Sequence, residues 1–305
     1  MKKTKILSLL LALLMLSATI FSCAKKPASI TITDMTGREV TLKGPAERIV
    51  ALTASTCEIV YALGAGDKLV GRGSYCNYPA EALEIEAVTS GYDTNIEQII
   101  ALTPDLVLMS TMAQSEEQIA QLSAAGIAVV VTDATTIDET YTSIEELGKL
   151  LGADAAAKKI VDDMKKTFAD LSAKAAAAPA EKQGKSIYFE VSPLQYGLWT
   201  AGTGTFMDEV ANLLDLENAF GDVADWAEVS EEQVLSRNPD YILTVGMYFG
   251  DGPTPDEEIL GRAGWENVTA VKNVAILNLQ ADELSRPGPR LALGAQLLYD
   301  FVYGE

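Results

Sequence analysis

The chain reads as an α/β protein of two lobes with parallel-rich sheets, joined by one long α-helix, with a ligand cleft between the lobes. Three observations carry this. Short β-rich runs alternate with amphipathic helical stretches, which implies parallel strands joined by right-handed crossovers. "NIEQIIALTPDLVLMS" (95–110) recurs as "SEEQVLSRNPDYILTV" (230–245) at a constant offset of 135. Between the two copies lies "DAAAKKIVDDMKKTFADLSAKAAAA" (154–178), in which Ile160, Met164, Phe168 and Leu171 share one face. That helix would be roughly 36 Å long, enough to run across two lobes as a stiff connector.

The elements follow in order. Lys2, Lys3 and Lys5 precede an apolar run from Ile6 to Leu16, too short for a stable bilayer span. Residues 1–22 therefore read as a signal peptide. "IFSC" (20–23) resembles the lipobox of bacterial lipoproteins, in which Cys23 is acylated and becomes the mature N-terminus. Residues 23–47 are then a lipid-anchored N-terminus and a hairpin, "SITITDMTGREVTLKG" (29–44). An N-terminal α/β lobe (48–153) opens with the strand "RIVAL" (48–52). A helix whose capping box starts at Ser55 follows it, and then the strand "KLVGRG" (68–73). After the connecting helix (154–178), a C-terminal α/β lobe (179–305) opens with "SIYFEV" (186–191). A second pairing at offset 150 sets "STCEIVYAL" (55–63) against "TFMDEVANL" (205–213).

Composition excludes several classes. The full chain carries a formal charge of −20. Loss of 1–22 leaves 20 basic and 43 acidic side chains, a mature charge near −23. Such a surface repels nucleic acid, so no nucleic-acid partner is expected. There is no histidine, which removes the commonest metal ligand and the commonest general base. No Walker loop and no G-x-S-x-G occurs. No catalytic residue, metal site or cofactor is expected, and binding without catalysis is the simpler reading. Cys57 and Cys76 could pair in an exported protein.

Ligands of open α/β sheets bind beyond the carboxyl ends of the strands. The loops there hold Tyr75, Tyr78, Tyr92, Tyr196, Trp226, Tyr248 and the rigid segment "LSRPGPRLALG" (284–294). For any one of these, packing or turn chemistry is sufficient. Together they suggest a flat-walled cleft for a large, partly apolar ligand. Of the two arginines in 284–294, Arg290 is expected to be tied down by Asp282 and Glu283, and Arg286 to meet an anionic group on the ligand.

The order of these segments resembles the cobalamin-, ferric-siderophore- and haem-binding proteins of ABC importers, often called class III periplasmic binding proteins. The resemblance runs from about Ile30 to the C-terminus through "RIVALTASTCEIVYALGAGDKLVGRGSYCNYPAEA" (48–82), "NIEQIIALTPDLVL" (95–108), "YFEVSPLQY" (188–196), "TGTFMDEVANLL" (203–214), "WAEVSEEQVLSRNPDYIL" (226–243) and "LSRPGPRLALGAQLL" (284–298). It implies two lobes joined by a helix that move little on binding. It also implies delivery of a small-molecule metal chelate to an ABC permease driven by a cytoplasmic ATPase. Glu97 and Glu232 map onto the glutamates that dock such a permease. The "SYCNYP" and "GYDTN" loops look more like the cobalamin-type branch, which carries Tyr75, Tyr92 and Trp226 to the corrinoid site. A haem binder would use Tyr75 or Tyr78, and a siderophore binder Arg286 or Arg290. The resemblance thus orders the ligands as corrinoid, ferric chelate, haem. An exported sensor subunit and an exported two-lobed enzyme are the readings of other classes.

Overall fold

The computed structural model describes residues 29–91, 93–111, 116–245, 252–279 and 282–304. The signal peptide, Cys23, Tyr92 and Tyr248 lie outside them. No helix among the described residues is long and apolar enough to cross a membrane.

Strands β1 (Ile30–Thr33) and β2 (Glu39–Leu42) form an antiparallel hairpin. Its turn is built by Asp34, which accepts from Thr36 N, Thr36 Oγ1, Arg38 N and Arg38 Nη2. Asp34 also accepts from Val131 N at 3.2 Å, which ties the hairpin to the N-lobe. Burial opposes the charge on this carboxylate, but the hydrogen bonds from Thr36, Arg38 and Val131 outweigh it and hold Asp34 below the usual carboxylate range.

The N-lobe sheet comprises β3 (Ile49–Ala51), β4 (Leu69–Gly73), β5 (Ala87–Val88), β6 (Leu106–Met109) and β7 (Ala128–Val131). They run parallel in the order β5-β4-β3-β6-β7. Helices α1 (Ala54–Ala62), α2 (Ile96–Ala101), α3 (Glu116–Ala124) and α4 (Ile137–Leu151) connect and cover the strands. The cap of α1 is Thr53, which accepts from Thr56 N, so the expected capping box at Ser55 is corrected. Its Glu58 is buried and engaged elsewhere.

The connector α5 spans Asp154–Ala176. It buries Ala157, Val161, Met164, Phe168, Leu171 and Ala175, an i, i+3/i+4 stripe. Ile160, expected on that stripe, is only partly buried because Val161 takes the inward position. A Cβ at Gly148 would collide with Ala157, so glycine lets α4 and α5 pack closely.

The C-lobe sheet contains β8 (Lys185–Glu190), β10 (Leu216–Asn218), β12 (Tyr241–Thr244) and β13 (Ile276–Asn278), parallel in the order β10-β8-β12-β13. A small antiparallel pair, β9 (Leu198–Ala201) with β11 (Trp226–Val229), stands beside it. Helices α6 (Phe206–Leu213), α7 (Glu231–Arg237), α8 (Pro255–Leu260), α9 (Thr269–Lys272) and α10 (Leu291–Tyr303) complete the lobe. The α1 and α6 caps are Thr53 and Thr205, which sit 152 residues apart; the offset of 150 read from sequence shifts by two.

The internal repeat has a physical core. Asp105 accepts from Glu47 N (2.9 Å) and Arg48 N (3.1 Å), just before β3. Its counterpart Asp240 accepts from Ser186 N (3.0 Å) in β8. Each aspartate begins the strand that pairs with its neighbour, β6 with β3 and β12 with β8. In both copies the preceding helix gives way to a left-handed residue, Thr103 (φ 49°) or Asn238 (φ 47°).

One apolar core runs without interruption through both lobes along α5, from Ile49 and Ile144 to Phe168, Ile187 and Phe206. Separate cores back the far face of each sheet. Two hydrogen bonds also cross between lobes at the base of the cleft: Phe206 N donates to Thr135 O, and Ile137 N to Glu209 Oε2, both at 2.6 Å. Helix, shared core and cross-lobe bonds together make the link stiff.

Candidate functional site

In each sheet the strand order reverses direction at one point, next to β3 in the N-lobe and between β8 and β12 in the C-lobe. Residues just beyond strands at such points are where doubly wound sheets bind ligands. Here both sets line one interlobe cleft of about 470 Å³. From the N-lobe come Thr53 and Ser55 after β3, Ser110 and Thr111 after β6, and Thr132, Asp133 and Thr135 after β7. From the C-lobe come Val191 after β8, Val245 after β12, Phe206 and Met207 at the start of α6, and Trp226. Ser285 and Pro287 close one end.

Two chemistries face each other. The N-lobe wall is hydroxyl-rich, and its one carboxylate, Asp133, is held by Thr111, whose N–H donates to both oxygens at 3.0 Å and whose hydroxyl donates at 2.6 Å. Thr132 Oγ1 is buried beside it with no protein partner. The C-lobe wall is apolar and aromatic: the Trp226 ring packs edge-on against Phe206, with centroids 5.4 Å apart and planes at 60°. Among the described lining residues there is no lysine or arginine. Nor do three or more His, Cys, Asp or Glu side chains among the described residues converge so as to hold a metal ion.

The two arginines of 284–294 are both committed to a clamp. Glu58, 4% exposed on α1 of the N-lobe, accepts from Arg286 Nη1 (2.8 Å), Arg290 Nε (2.8 Å) and Arg290 Nη2 (2.7 Å). Arg286 also donates to Asn77 Oδ1 (2.8 Å) and Tyr75 O (3.4 Å) and pairs with Asp282 (2.5 Å). The Arg290 guanidinium stacks 4.0 Å from the Tyr78 ring centroid. Burial disfavours the Arg290 charge, but Glu58 more than restores it and raises its pKa. This corrects the expected division of labour. Arg290 is held chiefly by Glu58 across the lobes, and of the expected neighbours Glu283 adds a smaller electrostatic contribution. Arg286 is engaged by Glu58, Asn77 and Asp282 rather than left open to the cleft. Two cations and two carboxylates leave the cluster formally neutral.

The sequence-predicted aromatics separate. Trp226 lines the cleft. Tyr75 (69% exposed), Tyr78 (46%) and Tyr196 (76%) stand on the surface and are absent from the lining described above. Tyr75 and Tyr78 belong to the loop that grips the arginines. Thr53, Ser55, Ser110, Thr111, Thr132, Asp133 and Thr135 were missed from sequence. Their signal is the first polar residues after an apolar strand, as in "VVVTD" and "VLMST".

Glu97 and Glu232 are exposed and occupy equivalent places, the second residue of α2 and of α7. The caps Asn95 and Ser230 accept from Gln98 N and Gln233 N. Glu232's own backbone N–H and the Ser230 hydroxyl lower its pKa and keep it charged.

Comparison with known proteins accords with this architecture. The periplasmic binding protein family matches residues 49–283. An ABC transporter substrate-binding lipoprotein of Bacillus subtilis, YvrC, itself uncharacterized, is 37% identical over 279 residues, 90% of this chain and 86% of that protein. The periplasmic vitamin B12-binding protein BtuF of Vibrio cholerae superimposes with a TM-score of 0.69 at 29% identity, covering 85% of this chain and 97% of that one. A possible iron-binding, periplasmic solute-binding protein of Staphylococcus epidermidis does so with a TM-score of 0.67 at 32% identity, covering 85% and 99%. The chain belongs to the periplasmic binding protein family, as a substrate-binding protein of ABC transport and not an enzyme.

Proposed function

We propose that the protein captures a metal chelate of the corrinoid class in its interlobe cleft and delivers it to an ABC permease, held at the membrane by an acylated Cys23. The observation that carries the ligand class is the chemistry of the cleft walls. Seven described lining residues carry hydroxyls, one carries a carboxylate, and none carries a positive charge. The adjacent arginines are neutralised by Glu58 and Asp282. A corrinoid presents a flat macrocycle edged with neutral amides. The ring suits the Trp226–Phe206 wall, and the amides suit the hydroxyls opposite. Haem propionates or an anionic catecholate chelate would enter a negatively charged protein with no cation among the described lining residues to meet them. The resemblance of the "SYCNYP" loop and the B12-binding relative point the same way.

Asp133 favours one second reading, a ferric chelate without net negative charge, in keeping with the iron-binding relative. Tyr75, Tyr78, Tyr92, Tyr196 and Tyr248 are proposed as mouth residues that close over the outer part of the ligand. Arg286 is proposed to act through the clamp and not as a direct anion contact. Glu97 and Glu232 are proposed as the permease-docking pair, one on each lobe at equivalent helix starts.

A thermal-shift screen of the purified chain against cyanocobalamin, cobinamide, ferrioxamine, a ferric catecholate and haem tests this reading. Stabilisation by the corrinoids is expected, amounting to about 2.7 kcal/mol at a hundredfold excess over Kd. Stabilisation by haem or the catecholate, with none by a corrinoid, would overturn it.

A further inference from the structure

We propose that Cys57 and Cys76 form a disulfide in the exported protein, stapling the loop that grips Arg286 and Arg290 onto helix α1. The proposal rests on the reading of the chain as an extracytoplasmic binding protein, since disulfides persist in oxidising compartments.

The geometry brings the two sulfurs together from different elements. Cys57 lies in the first turn of α1, its N–H donating to Thr53 O at 3.1 Å. Cys76 follows β4, its N–H donating to Gly73 O at 3.1 Å and its thiol to Ala51 O, at the end of β3, at 3.6 Å. Both are free thiols in the structure, 0% and 1% exposed, they sit in the same core, and each side chain shifts the titration of the other. No other cysteine exists except Cys23, the acylation candidate, so there is no competing partner in the mature fold.

The pair is chemically asymmetric. The Cys57 thiol donates to Cys76, and with Arg286 and Arg72 nearby this lowers the Cys76 pKa. The same hydrogen bond, burial and the neighbouring Glu58 push Cys57 up. That asymmetry belongs to the packed core; in the open loop either sulfur can attack first. When Cys76 does so, its thiolate displaces one thiolate from an oxidised disulfide, small-molecule or protein, to give a mixed disulfide. Cys57 then gives up its proton and attacks the Cys76 sulfur, releasing the second thiol. Two S–H bonds are lost, one S–S bond forms, and the oxidant disulfide is reduced to two thiols. Because both sulfurs are sealed in the finished core, the exchange belongs to folding, before the loop closes over α1.

The staple has a consequence for the clamp. Glu58 is adjacent to Cys57 on α1; Tyr75 and Asn77 flank Cys76, and Tyr78 lies two residues on. A Cys57–Cys76 bond therefore holds together the two segments that grip both arginines.

The test uses the exported full chain, purified without reductant, unfolded and treated with iodoacetamide before intact-mass measurement. The expected result is no carbamidomethyl on Cys57 or Cys76 and a mass about 2 Da below the reduced form. Reduction should add two alkylatable thiols and lower Tm by roughly 5–10 °C, as a closed loop of 20 residues implies. Two free thiols in the unreduced chain, persisting after refolding with excess oxidised glutathione, would overturn the proposal. Calorimetry with cyanocobalamin on both redox forms keeps this separate from ligand choice. A corrinoid that binds either form leaves the functional reading standing whatever the thiols do.

Discussion

Glu58 is the residue on which the lobes' second connection turns, and Glu58→Gln tests it. The carboxylate is buried and accepts three charge-assisted hydrogen bonds of 2.7–2.8 Å from two guanidinium groups. Glutamine keeps the shape but removes the charge, and its amide N–H groups face cations. Arg286 would retain Asp282, and Arg290 would retain the Tyr78 ring. Breaking a buried ion pair by removing one partner costs about 3–5 kcal/mol. Both arginine side chains are 10–12% exposed and can recruit some water, so the lower part of that range applies, about 3 kcal/mol. For a protein of this size that lowers Tm by roughly 6–12 °C. Thermal unfolding followed by circular dichroism measures it. A cycle with Arg290→Gln should return a coupling of about 1–3 kcal/mol. A fall of less than about 2 °C in Glu58→Gln, with no coupling, would refute the argument that the clamp joins the lobes.

Other outcomes follow from the same geometry. Trp226→Ala should weaken corrinoid binding by roughly 10–100-fold in calorimetry while the chain stays folded, since the ring forms the flat C-lobe wall; unchanged affinity would remove it from the site. Glu97→Lys with Glu232→Lys should abolish uptake by cells yet leave ligand affinity unchanged, because both carboxylates are exposed; normal uptake would exclude the docking role. Asp34 has a folded pKa below its unfolded value near 3.9, so its contribution is present above about pH 4 and is lost as pH falls through the folded pKa. Urea midpoints measured from about pH 5 to pH 2 should therefore fall more steeply in the wild type than in Asp34→Asn; parallel curves would contradict this.

What could be read from the chain depended on whether the signal was local. The connector announced itself through a continuous apolar stripe, and α5 ends at Ala176, two residues short of the expected bound at 178. The 135-residue repeat was legible because each copy carries the same local parts: a capping residue, a glutamine three residues on, and a Pro-Asp pair. Its purpose was not legible. Only the pairing of β6 with β3 and of β12 with β8 shows why both copies need an aspartate there. The capping residue of α1 was misplaced because Thr53 and Ser55 are both competent caps, and tertiary position decides between them. The partners of the arginines are only half legible locally: Asp282 pairs with Arg286 four residues on, whereas Glu58, which binds both, lies more than two hundred residues upstream. The conspicuous aromatics Tyr75, Tyr78 and Tyr196 stand exposed outside the described lining. The floor is made by small hydroxyl residues whose only sequence mark is their place just after an apolar strand.

The central claim is that the hydroxyl-and-aromatic cleft between the lobes holds a corrinoid reversibly and without chemistry. Isothermal titration of the mature chain with cyanocobalamin tests it most directly, with the ligand recovered afterwards and its visible spectrum recorded. The account predicts saturable one-to-one binding and recovery of unaltered ligand. Absence of binding to any corrinoid, alongside tight binding of haem or of an anionic ferric chelate, would contradict it.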